Sequence, residues 1–459
     1  MPETALPLHV GCASGFSGDR TDGAAPLVAE LIRLGGGYLI FETLAERTLA
    51  LAQLAKNANP QQGYEPLLDE LVSPVLRDCL THGIRMVSNF GAANPHAAAR
   101  RIEAIAREQG LRLPRIAVIT GDALDDPELI ASLCARVTPA LAPTEVVSAT
   151  VYLGAGEIAE ALRAGADIVV AGRVADPALT LGPALAHFGW AMDDWEKLGR
   201  ATMAGHMLEC GTQVTGGYFA VPGLKDVPGL DHTGFPLMTM HEDGSFEISK
   251  PPATGGRVDV AIGTEQLLYE VHDPAAYLTP DVVADISHAT VAQTGPDRIS
   301  VNGVTGHPRP DTLKVNVCYR GGWLAEAEIS YAGVQAQARA QLAGEIVRKR
   351  IGQAMPVRVD LIGVMSILAD DAGVMQGERT AATAHHPASA GDVRLRVAGS
   401  HPDRAVAERV LREVTALYCC GPAGGGGVRT HMRQRLNMVS TLVERNEIKA
   451  GWYMMENRQ

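Results

Sequence analysis

Six short apolar runs, separated by amphipathic stretches of helical period, fill the first 180 or so residues and restrict the possible folds of this chain more than any other feature. They are Leu8–Gly11, Tyr38–Phe41, Ile84–Ser88, Ile116–Thr120, Val146–Tyr152 and Ile168–Ala171. Each is short and largely β-branched, the pattern of a strand buried on both faces. Helical periodicity marks the intervals Gly23–Leu34, Leu44–Lys56, Glu65–Thr81, Pro95–Gln109, Pro127–Val137 and Ala155–Ala164. Gly35, Gly83, Gly110 and Gly165 stand where such helices should stop, because glycine accepts the left-handed conformation that ends a helix. Strand–helix–strand repetition implies parallel strands joined by helical crossovers. The sequence therefore predicts an α/β fold with a doubly wound, mostly parallel sheet, which a count of about six strands favours over the second reading, a closed eight-stranded barrel.

The texture changes after about Gly211. Leu237–His241 and Phe246–Ser249 flank Glu242-Asp243-Gly244-Ser245, where Asp-Gly supplies the positive φ of a tight hairpin. Asp311–Tyr319 and Trp323–Tyr331 flank Arg320-Gly321-Gly322 and read as a second hairpin. A helix over Val334–Arg350, strands over Val357–Gly363 and Val393–Ala398, and a helix over Pro402–Tyr418 follow, an α+β order of split βαβ type. At about 150 residues per domain, 459 residues suggest roughly three domain equivalents, divided here as 1–215 and 216–459.

Lys plus Arg number 40 against 52 Asp plus Glu, a net charge of −12 that argues against nucleic acid as a partner. The seven cysteines form no CxxC pair, so reduced thiols are expected and a structural zinc site has no support. No basic-then-apolar leader opens the sequence, and no apolar run approaches the ~18 residues that span a bilayer. The expectation is a cytoplasmic chain without membrane or nucleic-acid contacts.

In an open parallel sheet, ligands bind beyond the carboxyl ends of the strands, where helix N-termini present free N–H groups. The segments leaving the strands here are polar and Gly-rich. Besides Glu42-Thr43, they offer Gly15, Phe16, Gly18, Asp19 and Arg20, then Asn89 and Asn94, Asp122, and Arg173 with Asp176, and all of these except Glu42-Thr43 are substrate-binding candidates. Glycines at 11, 15 and 18 lack the GxGxxG spacing, no Lys-Ser/Thr follows, and Asp19 would repel a phosphate. No nucleotide cofactor is expected.

His206 and Glu209 lie three apart on a helix and share a face, as an acid/base pair requires. Two ligands do not hold a metal, so none is assigned. Cys210 diverges from His206 by about 100° on a helix, which disfavours a thiol nucleophile. Glu270 and His272 point the same way on an extended chain and complete the catalytic candidates if they meet His206. Lys250, in Lys250–Gly256, could reach an anionic group. The run Gly421–Thr430 contains consecutive glycines, among them Gly425 and Gly426, whose N–H groups could form an anion nest beside Arg429.

These segments together resemble the acyclic terpene utilisation (AtuA) family. The resemblance is carried by SGFSGDR at Ser14–Arg20, LAERT at Leu44–Thr48, NFGAANP at Asn89–Pro95, AGRVAD at Ala171–Asp176, GHMLECGTQVTGG at Gly205–Gly217, KPPATGG at Lys250–Gly256, LLYEVHDPAAYLTPDV at Leu267–Val282, PDTLKV at Pro310–Val315 and GPAGGGGVR at Gly421–Arg429. It implies a role in breakdown of acyclic terpenes and other branched acids, beside acyl-CoA carboxylases and enoyl-CoA hydratases. It names a pathway, not a reaction. Some members carry an extra ferredoxin-like domain, so the resemblance also implies a separate small ferredoxin-like partner subunit here, and a homo-oligomer is expected. The favoured reading is an enzyme, a hydratase-type lyase, acting on an acyl-CoA or branched carboxylate by hydration, dehydration or C–C cleavage, with coenzyme A present only as part of the substrate. The competing readings are a non-catalytic assembly subunit and a metal-dependent hydrolase or lyase.

Overall fold

The computed structural model describes residues 6–138, 140–370 and 391–456. The described residues form a mixed α/β fold with three sheets, and the chain divides into two units, Met1–Cys318 with Met438–Gln459, and Tyr319–Asn437. The expected division at 215/216 thus runs through the first unit.

Five strands of the first unit pair in parallel, in the order β1 (Leu8–Cys12), β2 (Tyr38–Phe41), β3 (Arg85–Ser88), β6 (Ile168–Val170) and β4 (Ile116–Thr120). Period-two side-chain alternation sorts them onto two cores. Val10, Ile40, Val87, Ala117 and Val169 face one, with helices α7 (Gly156–Arg163), α8 (Ala178–Phe188) and α9 (Trp195–Glu209). Leu39, Phe41, Met86, Val118 and Val170 face the other, with α1 (Ala24–Arg33) and α5 (Pro95–Glu108). The four helix-stop glycines all adopt positive φ, from 62° at Gly110 to 91° at Gly35. The helix expected over Glu65–Thr81 is instead two, Leu68–Val72 and Leu76–His82, because Pro74 cannot donate a helical N–H.

Antiparallel strands extend this sheet to ten. β7 (Leu237–Met240) pairs with β1, β8 (Phe246–Ser249) with β7, and Gly451–Met454 with β4. The first predicted hairpin is present, but it belongs to this sheet and not to a separate domain. The fifth predicted strand, β5 (Val146–Val151), leaves the parallel sheet and pairs with the long strand Thr312–Ala332. Its Ser148 and Thr150 alternate with apolar residues, which suits a strand with one polar face better than a doubly buried one.

In the second unit, helices Ala336–Ile351 and Arg404–Cys420 cover one core with strands Val357–Ile362 and Asp392–His401. The sheet order is Val357–Ile362, Asp392–His401, Thr312–Ala332, Gly426–Glu444. The second predicted hairpin does not form: Thr312–Ala332 runs unbroken through Arg320-Gly321-Gly322. A Cβ on Gly321 would meet the Asn437 side chain at 2.5 Å, and Gly322 has φ 79° against the His401 carbonyl. These glycines serve close approach between strands, not a turn. Among the described residues, no helix is long and apolar enough to cross a membrane.

Candidate functional site

The loops leaving β1, β2 and β6 open onto a cavity of about 1030 Å³ within the first unit. This is the carboxyl edge of the parallel strands, where the strand-end rule places a ligand. Two glycines set its floor. A Cβ on Gly15 would lie 2.6 Å from the Cys210 carbonyl carbon and 2.8 Å from Gly211 N, and one on Gly205 would lie 2.8 Å from Pro177 Cα. The end of α9 therefore presses directly on the loops carrying Asp19 and Asp176.

At that end, His206 Nδ1 lies 3.0 Å from Glu209 Oε1 and His206 Nε2 lies 3.1 Å from the Gln266 carbonyl oxygen. A carbonyl can only accept, so Nε2 carries hydrogen. Burial then decides the rest of the proton count. It lowers the imidazole to about 4, and it pushes the Glu209 carboxyl well above its usual range, helped by the Asp176 and Glu270 charges. A neutral imidazole offers only a lone pair at Nδ1, so the Glu209 carboxyl donates to it. Glu209 Oε2 is left buried without a hydrogen-bond partner, on a residue that lines the cavity and is 9% exposed. The Tyr277 ring lies 5.1 Å from the imidazole, tilted at 53° to it, and burial raises its hydroxyl too.

Arg173 supplies fixed positive charge. Its Nη1 donates to the Leu44 carbonyl at 2.5 Å, Nε and Nη2 donate to the Val174 carbonyl, and Nη2 pairs with Asp176, under the Tyr152 ring. Glu42 accepts from Leu44 N at 2.9 Å and Asn89 Nδ2 at 2.7 Å; burial and the Asp176 charge push it up to about 8 against the pull of Arg173. Glu46 behaves oppositely. Burial would raise it, yet the Tyr152 hydroxyl donating at 2.7 Å, its own backbone N–H and the Lys314 ammonium hold it down to about 2.

Of the sequence candidates, Gly15, Phe16, Asp19, Arg173, Asp176, His206, Glu209 and Glu270 line this cavity. Asp19 is occupied within its own loop by Gly15 N and Arg20 N. His272 is exposed and outside the lining, so the expected meeting with His206 does not occur. Gly18 (φ 100°) shapes the loop without lining the cavity, and Arg20 pairs with Asp22 and the Thr233 carbonyl. Asn89 braces Thr43 and Glu42, Asn94 caps α5, and Asp122 accepts from Arg173 N at 2.7 Å, all behind the lining. Lys250 is used up on Asp297 and the Thr254 carbonyl. Gly425, Gly426 and Arg429 belong to the second unit, where Gly425 packs on Ile329 and Tyr331 and Arg429 is exposed on a strand. Among the described residues, no group of three or more His, Cys, Asp or Glu is arranged to hold a metal ion.

Sequence reasoning missed Glu46, Tyr152 and Lys314 and did not select Glu42 or Tyr277. Each lay in a segment already marked: Glu42 at a strand exit, Glu46 in LAERT, Lys314 in PDTLKV. What brings Tyr152 and Lys314 together is the pairing of β5 with Thr312–Ala332, sealed by Tyr152 N donating to the Lys314 carbonyl at 2.9 Å. No curated protein and no solved structure matches the chain. Residues 8–454 match the protein-family model described as acyclic terpene utilisation family protein AtuA. The chain therefore belongs to the acyclic terpene utilisation family.

Proposed function

We propose that this chain is an enzyme of acyclic terpene or branched-chain acid breakdown that adds or removes water, or cleaves a carbon–carbon bond, by moving a proton to or from an acyl-CoA or branched carboxylate. The observation that carries this reading is the buried His206–Glu209 pair with one unpartnered carboxyl oxygen in a large cavity. Oε2 can take a proton from a bound water or a carbon next to a carbonyl while the hydrogen on Oε1 passes to Nδ1. The pair gains one proton, and Gln266 keeps the ring oriented. The reverse transfer protonates the substrate. Arg173 and Lys314 supply the positive field for an oxyanion developing beside them. Coenzyme A enters only as part of a thioester substrate.

Purified protein is incubated with branched enoyl and hydroxyacyl substrates, each as free acid and as thioester, and products are read by mass. A gain or loss of one water, or a cleaved fragment, abolished by Glu209→Gln, supports the reading. No turnover in any arm refutes it.

A further inference from the structure

The floor and the rim of the cavity differ in chemistry. Its buried lining carries the polar groups Glu42, Arg173, His206 and Glu209 beside Leu44, Ala175 and Leu313. Its accessible lining includes Phe16, Tyr218, Leu278 and Leu442, which are 54%, 90%, 67% and 55% exposed. Single exposed apolar side chains are ordinary, but four from separate segments around one opening mark an interaction surface. Tyr218 is also held at φ 62°, a conformation that non-glycine residues adopt at a cost and that collects at ligand clamps.

The charges of the lining matter as much as its apolar area. Among the described residues, six acidic side chains line the cavity against two cations, Arg173 and Lys314, and the acids still outnumber the cations with Glu42 and Glu209 held protonated. Most of the Arg173 guanidinium is taken by Leu44, Val174 and Asp176. Lys314 faces Glu46. A coenzyme A thioester would leave its diphosphate and 3′-phosphate at this mouth, where phosphate recognition calls for Arg or Lys clusters. A hydrocarbon chain needs only the apolar rim.

We propose that the cavity takes its substrate free, as a hydrocarbon-chain alcohol or carboxylic acid without phosphate, its small polar head beside Glu209 and its chain across Phe16, Tyr218, Leu278 and Leu442. The choice of which end enters rests on the acid/base reading above, and the inference narrows the two substrate forms of that reading to one.

Calorimetric titration of the full chain tests it, using branched free acids and alcohols of increasing length, their coenzyme A thioesters, and coenzyme A alone. The expected affinity of the free series rises about threefold to fourfold per methylene that reaches the rim. Thioester formation weakens binding by tenfold or more, and coenzyme A does not compete. Leu278→Asp and Leu442→Asp, each checked for native circular dichroism, flatten the length dependence. The inference is overturned by thioesters binding more tightly than free acids, by competition from coenzyme A, by indifference to chain length, or by no binding of any free ligand. Binding of free ligands without turnover in any arm leaves this inference standing and removes the acid/base reading; turnover confined to thioesters does the opposite.

Discussion

Replacing Glu209 with Gln separates two proton arrangements that share the same heavy-atom geometry. In the neutral pair, the carboxyl hydrogen on Oε1 points at His206 Nδ1 across 3.0 Å and Oε2 is buried without a partner. A Gln amide reproduces this shape: its NH₂ donates to Nδ1 and its oxygen takes the place of Oε2. One neutral hydrogen bond replaces another, so Glu209→Gln should change stability by no more than about 1 kcal/mol in urea unfolding near pH 4.5, where the unfolded carboxyl begins to ionise, and should exceed the wild type at pH 7. Were the pair an imidazolium and a carboxylate, the same change would strand a buried cation and cost about 3–5 kcal/mol. The pH dependence adds a second reading. The folded carboxyl sits above its unfolded value, so its contribution is fully present at low pH and is lost as pH rises through the folded value. Gln does not titrate, so the variant should gain on the wild type with rising pH. Turnover should fall roughly 100-fold to 10,000-fold, because proton transfer is removed and the binding shape is kept. A loss of several kcal/mol at pH 7, or a nitrogen NMR signature of imidazolium at His206, would refute the neutral pair.

Three further outcomes follow from the same geometry. Glu42, held up to about 8, should make the protein less stable as pH rises from 4.5 through 8; Glu42→Gln keeps the bonds to Leu44 N and Asn89, so it should equal the wild type at pH 4.5 and exceed it at pH 9, by about 5 kcal/mol at most, in urea unfolding. Equal pH slopes for the two proteins would contradict this. Gly15→Ala places a Cβ 2.6 Å from a backbone carbon of Cys210 that cannot rotate away, and should lose roughly 1–3 kcal/mol; unchanged stability would show that the two segments do not touch. Arg173→Met leaves the Leu44 and Val174 carbonyls and Asp176 without their donor and should lose about 3–5 kcal/mol, measured by urea unfolding, with an unperturbed midpoint counting against the arrangement.

Much of the first unit was legible because its signals are local. A buried parallel strand needs a continuous apolar run, and a helix end needs a residue tolerant of positive φ; both are read one segment at a time, which is why β1 to β4 and β6 fell where their runs predicted. The same local reading found His206 with Glu209, whose spacing on a helix fixes their distance without further help. It failed where two meanings share one signature. Arg320-Gly321-Gly322 looks like a turn, yet the glycines are there for a crossing strand and the side chain of Asn437. Lys250, Asn94 and Arg20 have the chemistry of ligand binders and spend it on their own surroundings.

The alternation of apolar runs with amphipathic stretches was enough to set the α/β class of the first unit and the strand-end location of its polar loops, and helical spacing was enough to bring His206 beside Glu209 on α9. Sequence alone could not decide where β5 would pair, that His272 stays outside, or that Glu42 and Glu46, four residues apart, are driven to opposite ends of the carboxyl range. Periodicity reports which face of an element is buried, whereas desolvation and charge depend on what distant segments bring to that face. Those neighbours exist only once the chain has closed on itself.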